Sequence, residues 1–167
     1  RLAEEGGVEM NQLADIYRHR WRDDELERLE RVWRVITADF LQRFIDINSE
    51  VLDVGAGFCH FINAVKARRR IALDANPAVR DHAAPGVETL VTDDLSLSMI
   101  DDESLDVVFV SNFLEHLQDS TAVIALLRAI CSKLRSGGKL LVLQPNFRAV
   151  GAAYFDFVDH RIVLTDS

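Results

Sequence analysis

The sequence is poor in cysteine, in positive charge and in long apolar runs, and each shortage excludes something. Only Cys59 and Cys131 are present, with no metal-ligand spacing, so neither a disulfide framework nor a thiolate metal centre is indicated. Each stands where a small apolar residue would serve, and two free thiols in a reducing compartment are expected. Lys and Arg number 19 against 27 Asp and Glu, a formal net charge of −8, and no Lys/Arg stripe offsets it. Nonspecific binding to a phosphate backbone depends on clustered cations, so nucleic acid is not an expected partner. No apolar run approaches the ~18 residues of a membrane span. The first residues also lack the apolar stretch of a secretory signal, so a cytoplasmic protein is expected.

What is present suits one soluble α/β domain. The chain has 167 residues, 49% hydrophobic and 28% charged, enough to bury a core of its own. Residues 1–48 read as an N-terminal helical segment packing on a core of residues 49–167. Arg1–Met10 has no periodicity, and Asn11–Arg22 looks helical, with Tyr17, Arg20 and Trp21 able to pack or to reach a ligand. From about Asp24 to Asp46, apolar residues at Leu26, Leu29, Val32, Trp33, Ile36, Phe40, Leu41, Phe44 and Ile45 mark one stripe of a helix that covers the sheet.

Beyond Asn48 the pattern alternates. Val51–Val54 is a strand, Phe58–Ala67 a helix, Ile71–Leu73 a second strand, and Pro77 opens a short helix to His82. Val87–Val91 and Leu105–Val110 are further strands. Asp119 caps a helix running to about Leu134, which Ser136-Gly137-Gly138 ends through left-handed glycine. Lys139–Leu143 is a fifth strand, apolar as one covered on both faces should be. Strands alternating with helices predict a Rossmann-like, doubly wound, mostly parallel sheet. No internal repeat or low-complexity segment interrupts it.

Parallel sheets bind ligands beyond the carboxyl ends of their strands, where strand order reverses. The first strand ends in Asp53-Val-Gly55-Ala56-Gly57, and two glycines two apart permit a sharp turn and a close approach to bare backbone. The third glycine of a dinucleotide fingerprint is missing, because His60 stands there. The Lys-bearing phosphate loop is absent too. Asp53 inside the turn would repel a pyrophosphate but suits a ligand with an ammonium, a sulfonium and no phosphate, as in S-adenosylmethionine. Asp74 follows Gly55 by nineteen residues, an interval at which an acid can accept both ribose hydroxyls. Asp93-Asp94-Leu95 ends the third strand and could hold an adenine, and Ser111-Asn112-Phe113 ends the fourth.

Val51–Gly57, Ile71–Asn76, Asp93–Leu95, Asp106–Leu117 and Leu134–Asn146 resemble the successive motifs of class I S-adenosylmethionine-dependent methyltransferases. Phe113–Leu117 resembles in particular the small-molecule branch that includes quinone-biosynthesis methylases. The resemblance covers roughly residues 50–146. It implies a cofactor site in which Asp53, Gly55, Ala56 and Gly57 line the methionine end. Asp74 and Ala75 would then meet the ribose, and Asp93, Asp94 and Leu95 the adenine. Ser111, Asn112 and Phe113 would flank the sulfonium. Cys59 replaces the usual third small residue of the first motif. The family's acceptor is chosen by N-terminal helices and by loops after the fourth and fifth strands, and a small or locally presented acceptor is expected.

His116 is the candidate general base, although a histidine on such a turn also caps and packs locally. His60 reads as structural or rim-lining, and Arg68-Arg69-Arg70 as a solvated run away from the site. Tyr154–His160 can line a substrate pocket with Asp156, Asp159 or His160 as base, or form a strand with Phe155 and Phe157 inward. No metal site is expected, because a carboxylate–histidine cluster without further convergent ligands is thin evidence. Two rivals remain: a nicotinamide-dependent oxidoreductase, which His60 opposes, and a noncatalytic methyltransferase-like scaffold. About twenty residues follow Asn146, so the usual C-terminal strands are expected to be incomplete. The fifth strand would then be an edge that a homodimer could cover.

Overall fold

The computed structural model describes residues 23–156 and 159–165. The expectations for Arg1–Met10, Asn11–Arg22 and Phe157 lie outside them. Five strands form one sheet: β1 (Glu50–Val54), β2 (Arg69–Asp74), β3 (Val87–Val91), β4 (Leu105–Ser111) and β5 (Leu134–Leu143). Their order is β3-β2-β1-β4-β5, and every pairing is parallel. The helices are α1 (Asp23–Asp39), α2 (His60–Ala64), α3 (Val79–His82), α4 (Ser120–Lys133) and α5 (Phe147–Val150).

The two-residue period of the strands sorts their side chains onto two cores. Leu52, Val54, Ile71, Leu73, Val108 and Val110 face one side and pack with Leu126 and Ile130 of α4. Val51, Ala72, Val107 and Phe109 face the other, under Phe61 and Ile62 of α2 and Trp33 and Ile36 of α1. Both faces of the central strands are therefore covered, which explains their unbroken apolar runs. Burying each such Val, Leu or Ile contributes about 1.5–3 kcal/mol. Asp119 caps α4 as the sequence suggests, its carboxylate accepting from the Ala122 amide at 2.9 Å.

Several expectations need correction. The helix begun near Asp24 ends at Asp39, and Leu41–Phe44 forms a separate 3-10 turn. That break lets Leu41 and Ile45 enter the core, and the Gln42 side chain pins it by bonding the Lys66 amide and carbonyl. The helix expected over Phe58–Ala67 is confined to His60–Ala64, because Cys59 has φ +58 and Val65 is extended and buried. Leu134, not glycine, stops α4 by starting β5 directly. Gly137, at φ +80, instead serves a bulge: Leu105 pairs with Leu134 but Val107 pairs with Lys139. β5 is an edge strand, and Val142 and Leu143 are exposed rather than covered. Phe155 lies in a 3-10 segment (Gly151–Asp156), not a strand.

The arginine run is not merely solvated. Arg68 and Arg69 bridge to Glu50, and Arg69 also to Glu88, across the amino ends of β1, β2 and β3. Arg70 reaches the carbonyls of Ile62, Asn63 and Pro85. Both cysteines are free, Cys59 buried and Cys131 exposed. No described helix is long and apolar enough to cross a membrane.

Candidate functional site

After β1 the chain passes to β2 and β3 on one side of the sheet and returns to β4 on the other. Strand order thus reverses between β1 and β4, the place where such sheets open a crevice. A cavity of about 340 Å³ lies there, within the usual range for small-ligand sites. Six of the twelve candidate cofactor residues line it: Asp53, Gly55, Ala56, Gly57, Ser111 and Asn112.

The turn after β1 is built from backbone. The amides of Gly55 and Ala56 donate to the Leu73 carbonyl at 2.9 and 3.1 Å, and the Gly57 amide donates to Asp74 Oδ2 at 2.8 Å. Gly55 has φ +72, and a Cβ there would sit 2.8 Å from Cγ of the Phe113 ring. Only glycine satisfies both conditions. On the facing strand end, Asn112 has φ +46, a conformation asparagine tolerates. Its amide donates to the Leu143 carbonyl, and its side chain donates to Ser111 Oγ at 3.0 Å.

Asp53 is 3% exposed. Burial, reinforced by the negative charge of Asp74, pushes its carboxyl up to about 8, and a hydrogen bond from the Ile62 backbone offsets only part of this. At neutral pH Asp53 is mostly a neutral acid at the cavity wall. A cationic group placed beside it would draw out its proton.

The other six candidate cofactor residues do not line the cavity. Asp74 bonds the Gly57 and Asn76 amides, both at 2.8 Å, so it holds the glycine turn in shape. Ala75 and Asp93 are exposed. Asp94 closes its own loop by accepting from Ser96 and Ser98, which holds its carboxyl well below the usual range. Leu95 packs against the α4-side core, and the Phe113 ring fills the space beside Gly55.

His116 lines the cavity. Its Nδ1 lies 3.2 Å from the Asp159 carbonyl and 3.3 Å from Asp159 Oδ2. His60 lines it as well, and burial lowers its pKa. The suggestion that Tyr154–His160 contributes to a pocket holds for His160, which reaches the cavity across 44 residues from His116. Sequence reasoning missed three contributions. α1 is more than a cover, since Leu29 and Trp33 form part of the wall. Phe61 and Phe109, with ring centroids 3.9 Å apart, supply apolar lining. Glu115, completely buried between Leu114 and Leu117, also lines the cavity. A lone acid flanked by apolar residues beside a histidine was the available signal for it.

A family model described as a methyltransferase domain matches residues 52–142. Among solved structures, an S-adenosylmethionine-dependent methyltransferase from Archaeoglobus fulgidus superposes with a TM-score of 0.68 at 19% identity, over 82% of this chain and 63% of that one. The complex of the Haloferax volcanii Trm112 methyltransferase activator with a methyltransferase gives 0.67 at 18% identity, over 86% and 67%. Haemonchus contortus phosphoethanolamine N-methyltransferase 1, bound to phosphoethanolamine and S-adenosylhomocysteine, gives 0.66 at 19%, over 83% and 32%. This chain therefore spans 63% or less of the first and third of these. Among curated proteins none matches the sequence.

Proposed function

Because the chain belongs to the methyltransferase-domain family and has the fold of S-adenosylmethionine-dependent methyltransferases, we propose that its cavity binds S-adenosylmethionine for in-line methyl transfer to a small acceptor. The observation that carries this reading is the cavity at the β1/β4 reversal, where bare glycine backbone meets a buried neutral carboxyl. Gly57 has nothing within 4 Å of where a Cβ would stand, so bare backbone there fits a ligand lying against the turn. His60, in the place of a third glycine, disfavours a pyrophosphate and hence a dinucleotide.

When bound, the cofactor supplies a methyl group already activated on a sulfonium. Asp53 is placed to face its ammonium, and Ser111 and Asn112 to border the sulfonium. Asp74 fixes the Gly57 turn and offers its remaining lone pairs to ribose hydroxyls. Asp93, Asp94 and Leu95 lie at the next strand end, toward the adenine. With the leaving group activated, the protein's task is alignment of acceptor, methyl carbon and sulfur, which can supply roughly 7–11 kcal/mol of barrier reduction. Trp33, Phe61 and Phe109 exclude water from the cavity. His116 is placed to take the acceptor's proton. A modest cavity and a net charge of −8 favour a small acceptor over a nucleic acid. α1, through Trp33 and Ile36, belongs to the same packed unit as the core of residues 49–167.

Calorimetric titration with S-adenosylhomocysteine tests this. Saturable binding is expected, weakened by about tenfold or more in Asp74→Ala, on the scale of one lost charge-assisted hydrogen bond. No binding by a folded chain overturns the cofactor reading. Binding without methyl transfer to hydroxyl, amine or thiol acceptors points instead to a scaffold.

A further inference from the structure

A second chemistry is assembled in the wall of this cavity. Glu115 sits in the 3-10 turn after β4 with its side chain 1% exposed, and its Oε1 has no hydrogen-bond partner among the described residues. Its Oε2 accepts from Gln144 Nε2 at 2.6 Å, which fixes the carboxylate and leaves Oε1 aimed elsewhere. Two imidazoles face that oxygen: His116 Nε2 and His160 Nε2 each lie 4.0 Å away. This is too far for a hydrogen bond.

His116 Nδ1 lies 3.2 Å from the Asp159 carbonyl, which leaves Nε2 as the ring nitrogen on the Glu115 side. A buried carboxyl oxygen without a hydrogen-bond partner among the described residues, 4.0 Å from two imidazole nitrogens, leaves room for a cation between converging donors.

We propose that Glu115, His116 and His160 bind a divalent transition-metal ion at the cavity wall. The three donor atoms lie within 4.8 Å of one another. With two of the separations at 4.0 Å, a point roughly 2.5 Å from all three exists, a few tenths of an ångström beyond usual metal–nitrogen and metal–oxygen bonds. Small side-chain rotations close that gap. Two imidazoles and one carboxylate form a donor set suited to zinc, iron or manganese. The Asp159 carbonyl on His116 Nδ1 and Gln144 on Glu115 are the outer partners that orient such ligands. All three ligands line the cavity, so the remaining coordination positions open onto it.

The ion's role toward the acceptor rests on the methyl-transfer reading above. An acceptor hydroxyl bound to the ion would have a lowered pKa and give its proton to solvent, so the ion would replace His116, then its ligand, in the role of base. Its oxygen lone pair then forms the new C–O bond as the C–S bond breaks, the electron pair staying on sulfur. The oxidation state of the ion does not change. A hydroxyl-bearing, chelating acceptor is the class this site would take.

The test uses the full chain stripped with chelator and titrated with Co²⁺, followed by visible absorption and calorimetry, with Zn²⁺ as competitor. One Co²⁺ per chain is expected, displaced by Zn²⁺. Glu115→Gln and His160→Gln should each weaken binding by about 10–100-fold or more, while His82→Gln, outside the cluster, should not. Circular dichroism establishes that each variant is folded, and either ligand variant alone suffices. A folded wild-type chain that takes up no Co²⁺, or variants that bind it as wild type does, overturns the proposal and leaves the cluster a proton relay. Co²⁺ uptake without S-adenosylhomocysteine binding would refute the methyl-transfer reading and not the metal site. The converse would refute only the metal site.

Discussion

Replacing Asp53 by asparagine should remove most of one component of the protein's pH-dependent stability. The folded carboxyl titrates at about 8 against 3.8 for an unperturbed one. Between those values the folded chain holds a proton that the unfolded chain has lost, so stability falls as pH rises through this window and levels off above pH 8. Each unit of difference corresponds to about 1.36 kcal/mol, so the whole shift amounts to about 5–6 kcal/mol at alkaline pH. Between pH 5.5 and 7.5 the loss from Asp53 alone is about 2.5 kcal/mol. Against a typical domain stability of 5–15 kcal/mol, that is easily measured. Urea unfolding of wild type and Asp53→Asn at the two pH values isolates it, since every other titrating group is common to both chains. Wild type should lose about 2.5 kcal/mol more than the variant over that interval. Parallel losses would show that Asp53 is ionised in the folded state, and the case for a neutral carboxyl awaiting a cation would fall with it.

Two substitutions test the frame around the site. Gly55→Ala combines a left-handed backbone with a collision against Phe113, and should cost about 3 kcal/mol in urea unfolding. Adding Phe113→Ala should recover the collision and not the backbone strain, so strict additivity of the two would refute the contact. Asp119→Ala should destabilise by about 1 kcal/mol and Asp119→Asn by far less, since asparagine keeps the oxygen that accepts from Ala122. Equal losses in the thermal midpoint would mean that the cap is not what holds the start of α4.

How much was legible in the sequence follows the range of each signal. β3 was readable to the residue, and β1 and the start of α4 nearly so. Apolar period and the cap at Asp119 are local, and tertiary packing here agrees with them. The glycine turn was legible because the positive φ of Gly55 and Gly57 is a backbone requirement that residue type alone signals, whereas the Phe113 ring against Gly55 was not visible in it. The ends of α1 and α2 were not. Leu41, Ile45 and Val65 continue a helical pattern, yet the core takes them from turned or extended backbone. Gly137 looked like part of a helix stop because its place in an edge-strand bulge takes the same left-handed geometry, and sequence does not distinguish the two uses. Glu115, and the pairing of His160 with it, escaped for a plainer reason. Each alone is an ordinary acid or histidine, and only the fold brings them within 4.0 Å.

The left-handed residue at the end of β4 ties these two kinds of signal together. If β4 continued straight past Ser111, residues 112–116 would run out over the sheet and away from the crevice. Asn112, at φ +46, reverses the chain instead, while its amide stays anchored to the Leu143 carbonyl of β5. The reversal sends Phe113 against the bare Cα of Gly55 and buries Leu114 in the α4-side core. It also drops the 3-10 turn Leu114–His116 back toward the strand ends, so that Glu115 and His116 face the same cavity as Asp53. The Glu115 carbonyl then accepts from the amides of Arg161 and Ile162 at 2.7 and 3.2 Å. That pairing carries His160 in beside them. One left-handed residue between β4 and its turn therefore joins the glycine turn to the carboxylate–histidine cluster. Asparagine adopts this conformation readily, and the surrounding contacts fix it there. Here the anchors are the Asn112 amide on β5, the Phe113 ring on Gly55 and the Glu115 carbonyl on residues 161 and 162.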